Sequence, residues 1–441
     1  MKLLFFKIFT ILCLLSNIGF SQSGWNIQQN QASYTLYSVY FVNQYTGWAS
    51  GELYVSIGLI IKTTNGGLNW FTQYIDSSYY YISSIFYINQ NTGWAGGAPG
   101  PILKTTNGGI NWFYQAYGKH LWLGSIYFID PNTGWAVVDT INTSGIILKT
   151  TNGGTNWFYQ TSGTSYGLFS VIFIDQNTGW IAGGYAVYDG IILKTTNGGT
   201  NWYTQYQDTL YNLLYGIQFV DQNTGWVIGE NSYSYGKIIK TTNGGRNWFL
   251  QYNANYYILQ SLYFIDQYSG WSGGADNIHN GIVIKTTDGG SNWYEQFNGS
   301  GPNHELFSIN FINMNSGWAV GNNGIIINTT NGGEPIGIKP ISSNVPESFL
   351  LYQNYPNPFN PSTKIKFQIP VFPLMKGVRG MSVRLSIYDL LGREIATLVN
   401  EQLQPGTYEV EWDGGNYSSG VYFYKLEAGS FTDTKKMLMI K

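Results

Sequence analysis

Five carboxylates occupy loops whose length and composition differ along the chain, and two facing carboxylates are what hydrolysis of a glycosidic bond requires. These residues are Glu52, Asp139, Asp189, Glu230 and Asp276. No spacing among them selects an acid and a nucleophile, so the sequence does not designate a catalytic pair. Glycoside hydrolysis therefore stays open as an alternative to a binding function.

Other catalytic chemistry finds less support. His279 and His304 fall in loops of adjacent repeat units, but a zinc site needs at least a third ligand. Arg246 is the only arginine between Gln22 and Pro335, which excludes sialidase-type chemistry, because that requires several arginines around a substrate carboxylate. The sequence has no phosphate loop, Ser-His-Asp pattern or calcium loop. We expect no catalytic residue, no metal and no cofactor.

The composition is that of an all-β protein with many turns. The 441 residues include 55 glycines, 17% are aromatic, 10% are charged, and the formal net charge is −2. Without an excess of lysine and arginine the chain has no electrostatic basis for binding nucleic acid. More than one domain is expected at this length.

The first 21 residues have the pattern of a secretory signal peptide. Two lysines precede an apolar stretch over 8–15, and small residues then have the spacing of a cleavage site. The only cysteine, Cys13, lies in this segment; lipid attachment to it is an alternative, although Leu12 is not the small residue that such a site prefers. No later segment has about 18 consecutive apolar residues, so no transmembrane segment is expected.

Two motifs recur with a period near 45 residues, which is within the range for the blades of a β-propeller. A Gly-Trp pair occurs seven times, with its tryptophan at Trp48, Trp94, Trp135, Trp180, Trp226, Trp271 and Trp318. A box of the form Lys-Thr-Thr-Asn-Gly-Gly-x-Asn-Trp begins at Lys62, Lys104, Lys149, Lys194 and Lys240, varies at Lys285 and degenerates at Asn328. Each unit predicts four strands, with an Asn-Gly turn between the third and the fourth.

The number of fourth strands predicts how the repeats close. Six boxes end in a tryptophan strand, but the seventh stops at Gly333 without one. The segment from Trp25 to Gln28 resembles the missing strand, as it matches the segment from Trp70 to Gln73. We therefore expect the N-terminal strand to complete the last blade beside 325–329, giving a closed seven-bladed β-propeller over 22–335 without an unpaired blade edge.

The spacing of Thr63, Asn65, Gly67 and Trp70 resembles the Asp-box (BNR-like) turn of sialidases, sortilin-type ectodomains and the photosystem II assembly factor family. The resemblance implies that the asparagine bonds its own turn while the tryptophan fills the gap between blades. In the assembly factor family a basic, arginine-bearing surface engages partner proteins, whereas 22–335 contains nine Lys or Arg against 15 Asp or Glu. The resemblance therefore implies the fold and not a photosynthetic role.

Adjacent strands alternate in direction, so the turns after the second and fourth strands of every blade share one face. The turns of the opposite face barely change between blades, whereas those of this face, here called the variable face, differ in length and are rich in tyrosine. The predicted ligand-binding residues are Tyr54, Tyr79, Tyr80, Tyr81, His120, Trp122, Tyr185, Tyr188, Tyr233, Tyr235, Tyr256 and Tyr257. Tyrosine suits sugars and proteins, so we expect a non-enzymatic protein that binds a glycan or a protein there; alternatively, the tyrosines only shield loop backbone.

A different pattern follows the last repeat. Prolines mark a linker over 336–347, and short alternating runs over 348–441 predict a small immunoglobulin-like β-sandwich. The motifs of this module include Tyr355-Pro356-Asn357-Pro358, Gly392-Arg393 and Lys435-Lys436. With these motifs the module resembles the type A sorting domain of the type IX secretion system.

The resemblance implies that an outer-membrane translocon recognises this module. The protein would then pass from the periplasm of a Gram-negative bacterium to the cell surface or the medium. An immunoglobulin-like accessory domain that binds the propeller or a sugar is the alternative, because a fold alone does not fix a function.

Deletion of 348–441 should leave the protein in the periplasm, because the translocon then has nothing to recognise. Cell fractionation with immunodetection measures this distribution. The control is a chain that lacks only 374–381, an insertion between strands that we do not expect to affect recognition. Normal export of the longer deletion would contradict the sorting assignment.

Overall fold

A computed structural model of the chain describes residues 24–29, 34–54, 56–76, 81–116, 122–140, 143–185, 189–208, 213–230, 235–254, 257–299, 303–333, 339–342, 346–370, 381–403, 405–414 and 417–441. The predicted signal peptide, 1–21, lies outside these residues. The chain divides into a unit over Gly24–Glu334 and a C-terminal unit that begins at Pro335.

Within the described residues, the first unit consists of seven four-stranded antiparallel sheets, the blades, numbered I to VII in chain order of their first strands. Blade I contains Tyr34–Phe41, Gly47–Leu53, Ile57–Thr63 and Phe71–Asp76. Blade II contains Tyr81–Tyr87, Gly93–Ala98, Ile102–Thr105 and Phe113–Ala116. Blade III contains Trp122–Phe128, Gly134–Thr140, Thr143–Thr150 and Phe158–Gln160. Blade IV contains Gly167–Phe173, Gly179–Tyr185, Asp189–Thr195 and Tyr203–Asp208. Blade V contains Leu213–Phe219, Gly225–Glu230, Gly236–Thr241 and Phe249–Asn253. Blade VI contains Tyr257–Phe264, Gly270–Asp276, Gly281–Thr286 and Tyr294–Asn298. Blade VII contains Leu306–Phe311, Gly317–Gly321, Ile326–Gly333 and the N-terminal strand Gly24–Gln29, with a 3-10 turn at Asn322–Gly324.

The N-terminal strand closes the ring as predicted. It pairs antiparallel with the third strand of blade VII, with Asn26 opposite Asn328 and Ile27 opposite Ile327. Blade VII then meets blade I, where the Phe41 backbone N–H donates to Asn310 Oδ1 at 3.0 Å. The all-β fold with a seven-bladed propeller is therefore confirmed, and none of its blades is left with three strands in the part of the chain that the structure describes.

Three aromatic rings meet at every boundary between blades. The tryptophan of a second strand stacks on the ring of the next blade's first strand, as Trp94 does on Phe128, with centroids 3.5 Å apart. The edge of that second ring meets the fourth-strand tryptophan of its own blade, as Phe128 and Trp157 do at 5.8 Å. At blade VII the fourth-strand tryptophan is Trp25, 5.7 Å from Phe311. The recurrent tryptophans are thus the packing elements between blades.

A backbone carbonyl of the glycine turn adds a polar contact to each boundary. Gly153 O accepts hydrogen bonds from Trp94 Nε1 at 3.0 Å and Lys104 Nζ at 2.7 Å. The Lys104 ammonium also lies 5.3 Å from the Trp94 ring centroid, and burial lowers the pKa of Lys104. Five further lysines of the box make the same contact with the carbonyl of the next blade; these are Lys62, Lys149, Lys194, Lys240 and Lys285.

Blade VII has Asn328 in place of the lysine, and its boundary with blade I uses the N-terminal strand instead. Gly66 O accepts from Trp318 Nε1 at 3.0 Å and from Gln28 Nε2 at 2.9 Å. The segment that completes the last sheet therefore also supplies a polar contact to the first blade.

The turn of the box has the geometry that the Asp-box resemblance implies. Thr63 Oγ1 accepts the Gly67 N–H at 2.8 Å, and Asn65 Oδ1 accepts the Asn69 N–H at 3.0 Å. Gly66 and Gly67 have φ angles of 73° and 95°, which side chains with a Cβ rarely adopt. This conformation explains why the Gly-Gly pair recurs.

The C-terminal unit is a sandwich of two four-stranded antiparallel sheets in the described residues. One sheet contains Lys339–Ser342, Gly406–Asp413, Ser362–Ile369 and Leu350–Leu351, and the other contains Glu394–Leu403, Met381–Tyr388, Gly420–Ala428 and Phe431–Met439. Buried residues from both sheets, such as Ile365 and Leu385, form a single core.

The linker predicted over 336–347 is wrong in its extent. Lys339–Ser342 is a strand at the edge of the first sheet, and Pro340 lies opposite Tyr408. Proline lacks an N–H group, but a strand at the edge of a sheet does not need every donor. The prolines that suggested a linker are therefore compatible with an edge strand.

Trp25→Ala should destabilise the propeller by about 3 kcal/mol or more, because it empties a packed aromatic site in the closing blade. Trp25 is 4% exposed, whereas Ile27 on the same strand is 60% exposed. Ile27→Ala is therefore the control and should change stability by less than about 1 kcal/mol. The midpoint of urea unfolding measures both, and equal effects would contradict the closing role of Trp25.

Tyr87→Phe should stabilise the propeller by about 1 kcal/mol. Tyr87 is 1% exposed, and its hydroxyl has no hydrogen-bond partner in the described residues. The other six boundaries have phenylalanine at this position. Phe128→Tyr is the reverse control and should destabilise. Urea unfolding again measures the change, and a clear loss of stability in Tyr87→Phe would refute the argument.

The stability of the Tyr87→Phe variant should also depend less on pH than that of the unmodified chain under alkaline conditions. Burial raises the pKa of Tyr87, so the stabilisation linked to its proton is complete below about pH 10 and is lost as the pH rises further. Tyr87→Phe should therefore lose less stability than the unmodified chain above that pH.

Candidate functional site

The structure describes about half of the predicted ligand-binding residues. Tyr54, Tyr81, Trp122, Tyr235 and Tyr257 lie within it, and for Tyr185 it gives the strand position only. Predictions that fall outside the described residues are Tyr79, Tyr80, His120, Tyr188, Tyr233 and Tyr256. The site that follows is built from the described residues of the variable face.

Each first strand begins at the variable face and contains a β-bulge near that end. The bulge separates two paired residues by one extra residue, as Tyr37 stands between Leu36 and Ser38. The extra residues of the seven blades are Tyr37, Ser83, Gly124, Phe169, Tyr215, Gln260 and Phe307. Bulges redirect a side chain away from the regular pleat, so this position is available for contacts that the sheet does not use.

Four aromatic residues from four consecutive blades form a continuous row at this end of the first strands. Tyr37 of blade I lies 5.6 Å from Phe307 of blade VII and 5.5 Å from Tyr81 of blade II, measured between ring centroids. Tyr81 lies 6.3 Å from Trp122 of blade III. We call Phe307, Tyr37, Tyr81 and Trp122 the aromatic arc. Trp122 is 41% exposed, and the other three are partly buried.

The fold does not require the aromatic arc. The residue before each bulge is a buried aliphatic residue in every blade, from Leu36 in blade I to Leu306 in blade VII. At the bulge itself the residue is tyrosine or phenylalanine in four blades and serine, glycine or glutamine in the other three, while Tyr81 and Trp122 stand one residue before the buried aliphatic position. Since the periodic positions maintain the scaffold, the aromatic residues of the arc are candidates for contacts outside it.

A strained loop adjoins the arc. Tyr37 donates its hydroxyl hydrogen to Glu52 Oε1 at 2.9 Å, and the Ser56 N–H donates to Glu52 Oε2 at 3.2 Å. Tyr54 and Ser56 have φ angles of 50° and 89°, and Tyr54 is 71% exposed. Left-handed backbone at residues other than glycine costs free energy and clusters at functional sites. Burial, with a contribution from Glu52, raises the pKa of Tyr37, so its hydroxyl stays a donor.

A small recess of about 10 Å³, enough for roughly one water molecule, lies beside Tyr81 at the boundary of blades I and II. Asp76 lies in its wall, 8% exposed, and accepts hydrogen bonds from the hydroxyls of Tyr74 at 3.0 Å and Tyr114 at 3.2 Å. Gly96 and Gly97 line the same recess. The recess therefore places the Asp76 carboxylate and the Tyr74 phenol beside the ring of Tyr81.

Four of the five carboxylates considered for hydrolysis are engaged locally. Asp189 accepts the Tyr166 hydroxyl at 2.8 Å, Glu230 bonds Tyr215, and Glu52 bonds Tyr37. Asp276 accepts the N–H groups of Ile278 at 3.0 Å and Asn280 at 2.9 Å, as a turn residue does. The side chain of Asp139 lies outside the described residues. These contacts orient the carboxylates and do not pair them with one another.

The two histidines belong to adjacent parts of blades VI and VII. His279 Nδ1 contacts Glu305 Oε1, and the His304 N–H donates to the His279 carbonyl at 3.1 Å. Among the described residues, no group of three or more histidine, cysteine, aspartate or glutamate side chains is arranged to hold a metal ion.

Most sorting-motif residues lie at turns of the sandwich, whereas Lys435 and Lys436 lie within the strand Phe431–Met439. Asn357 Oδ1 accepts the Leu438 N–H at 2.9 Å, and Tyr355 is 80% exposed. Arg393 Nε donates to Asp389 Oδ2 at 2.7 Å across a turn in which Gly392 has φ 72°. The other motif residues named above are Pro356, Pro358, Lys435 and Lys436. The motif thus fixes surface turns of the module.

Fold and motifs together define a secreted or cell-surface protein that combines an Asp-box β-propeller with a type IX sorting module. Residues 19–165 match the family model of the photosynthesis system II assembly factor YCF48. Residues 353–441 match the secretion system C-terminal sorting domain, which confirms the predicted sorting module and the expected export. No curated protein matches this chain in sequence.

Solved structures are similar in fold. YCF48 bound to D1 peptide is 20% identical with a TM-score of 0.54 and covers 70% of this chain and 97% of its own. YCF48 from Cyanidioschyzon merolae is 19% identical with a TM-score of 0.51 and covers 69% and 98%. The GH74 enzyme of Niastella koreensis is 12% identical with a TM-score of 0.53 and covers 95% and 75%. At these identities the comparison establishes the propeller fold alone. Among the described residues, no helix is long and apolar enough to span a bilayer.

Sequence analysis missed part of the aromatic arc. Tyr37 and Phe307 lie inside first strands, where an aromatic residue is expected to be core, and only Tyr81 and Trp122 were selected. A comparison of the repeats position by position would have found them, because the bulge position is the variable one within an otherwise regular strand.

Proposed function

We propose that the protein is an exported, non-enzymatic β-propeller that binds a glycan or a protein ligand on its variable face, at the aromatic arc. The observation that carries this proposal is the row of ring contacts through Phe307, Tyr37, Tyr81 and Trp122, which crosses four blades without being required by the repeat.

The chemistry of the arc supports binding. Tyrosine and tryptophan combine an apolar surface with a polar tip and lose little conformational entropy when a ligand immobilises them. The blade boundaries hold the backbone of the arc, so these side chains are presented by strands and not by long loops. A site presented in this way is largely formed before the ligand arrives.

The carboxylates favour binding over hydrolysis. Glu52 and Asp76 each accept hydrogen bonds from tyrosines, and these contacts hold them at the arc and in the adjoining recess. Hydrolysis would require an acid and a second carboxylate on opposite sides of the scissile bond. Glycoside hydrolysis stays the alternative, and the fold that the chain shares with a GH74 enzyme does not decide between the two.

The two domains have separate roles in this proposal. We propose that 22–335 is the binding domain and that 348–441 serves export. The segment between them joins the two domains and supplies the strand Lys339–Ser342 to the sandwich, and we assign it no part in ligand binding.

Trp122→Ala should weaken ligand capture about tenfold or more while leaving the fold intact, since its ring is 41% exposed. Phe249→Ala is the matched control, because Phe249 is an aromatic residue 57% exposed on a fourth strand. A glycan array and a panel of purified surface proteins measure capture, and the urea midpoint verifies folding. Undiminished binding in Trp122→Ala would overturn the proposal. Release of reducing sugar from a polysaccharide by the unmodified protein would establish the hydrolase instead.

A further inference from the structure

We infer that the ligand of the aromatic arc is an uncharged glycan chain, which lies along Phe307, Tyr37, Tyr81 and Trp122 and donates hydroxyl hydrogens to Glu52. This inference rests on the proposed function and narrows it to one class of ligand.

The shape of the arc suits an extended chain. Its ring centroids follow one another at 5.6, 5.5 and 6.3 Å, and the planes of successive rings are inclined at 31°, 54° and 85°. The result is a row of rings that spans four blades, with Trp122 its most exposed member. The C–H faces of successive sugar rings pack on such a row, while their hydroxyl groups point to its polar margins.

The polar margins offer acceptors. An ionised carboxylate accepts roughly four hydrogen bonds. Tyr37 and the Ser56 N–H each use one oxygen of Glu52 in the described residues, which leaves capacity on both oxygens. Asp76, 8% exposed beside Tyr81 and bonded by two phenols, adds a second negative charge near this margin. Sugar hydroxyls are the donors that fit fixed carboxylates beside aromatic rings.

The charges of the propeller favour an uncharged glycan over an acidic one. In the described part of the propeller, six lysines contact turn carbonyls of the opposite face, and Arg246 lies in a turn of that same face. Lys237 pairs with Asp208 at the boundary of blades IV and V, away from the arc. The ninth lysine or arginine, Lys119, precedes Trp122 and lies outside the described residues. Because 22–335 contains 15 Asp or Glu against nine Lys or Arg, and Glu52 and Asp76 stand beside the described arc, a uronate, sulfate or phosphate is disfavoured there.

A second pair of aromatic residues has the same construction. Phe169 and Tyr215 are bulge residues of blades IV and V, 6.1 Å apart, and Tyr215 bonds Glu230 as Tyr37 bonds Glu52. The arrangement of phenol and carboxylate thus recurs across the ring. A glycan chain that leaves the arc would meet a second place of similar chemistry.

Affinity gel electrophoresis of the full chain tests the inference, with hydroxyethyl cellulose and galactomannan as neutral polysaccharides and alginate and polygalacturonate as acidic ones. We expect retardation in a neutral gel and none in the acidic gels. Tyr81→Ala and Trp122→Ala should each weaken the neutral interaction about tenfold or more. Glu52→Gln should weaken it about tenfold, because a charged acceptor is lost.

Two controls separate specific effects from general ones. Glu411→Gln removes the same charge from an exposed position of the sorting module, and Phe249→Ala removes an exposed aromatic ring from a fourth strand. Both should migrate like the unmodified chain.

The outcomes distinguish this inference from the proposed function. Absence of retardation in every neutral gel, or retardation in the acidic gels only, would overturn the inference. If a protein ligand were then captured in a manner that needs Trp122, the proposed function would stand without the glycan. Retardation in a neutral gel that is unchanged in Tyr81→Ala and Trp122→Ala would overturn both.

Discussion

The contact on which the propeller depends is the stack of a second-strand tryptophan on the first-strand ring of the next blade. At all seven boundaries the two ring centroids lie between 3.5 and 3.7 Å apart. The same tryptophans donate their indole hydrogens to a glycine carbonyl of the neighbouring turn, for example Trp226 to Gly289 O at 3.0 Å. Packing and hydrogen bonding thus act between the same two blades at every boundary, so that no disulfide is needed in the ring.

This division of roles explains why the scaffold could be predicted from sequence. A contact that repeats seven times leaves a periodic signal, and the missing fourth strand indicated that the N-terminal segment must supply it. The sequence therefore predicts that Trp25 belongs to the last blade, and its pairing confirms that prediction. The sorting module was equally accessible, because its motifs fix turns by local hydrogen bonds such as that between Arg393 and Asp389.

The candidate site was less accessible to sequence analysis, because its residues stand at positions that vary between the repeats. The arc arises where neighbouring first strands bring Tyr37, Tyr81 and Phe307 together, and these residues are far apart in sequence. Propensity cannot distinguish an aromatic residue at a bulge from one in the core, since both favour strands. The predicted linker is a case in which regular structure was missed. Prolines such as Pro340 predict a segment without strands, but the edge of a sheet accommodates Pro340.

The distribution of charge between the two faces of the propeller follows from the lysine contacts at the blade boundaries. Most lysines of the propeller serve the blade boundaries, where burial lowers the pKa of Lys62, Lys104 and Lys149 and the ammonium lies against a tryptophan ring. Cations are thus concentrated near the uniform turns, while carboxylates bonded to tyrosines mark the other end of the strands. The difference in charge between the two faces is therefore a consequence of the contacts that hold neighbouring blades together.

The last blade combines strands from both ends of the domain, and this has a consequence for folding. Gly24 pairs with Gly333, so the sheet that seals the ring joins residues from opposite ends of the domain. Such non-local pairing raises the contact order, and chains of high contact order fold slowly because the loop must close before its contacts stabilise it. The strand that carries Trp25 has no partner in its sheet until the final repeat is available. Closure of the ring therefore depends on both ends of the domain and follows the pairing of consecutive strands in the other blades.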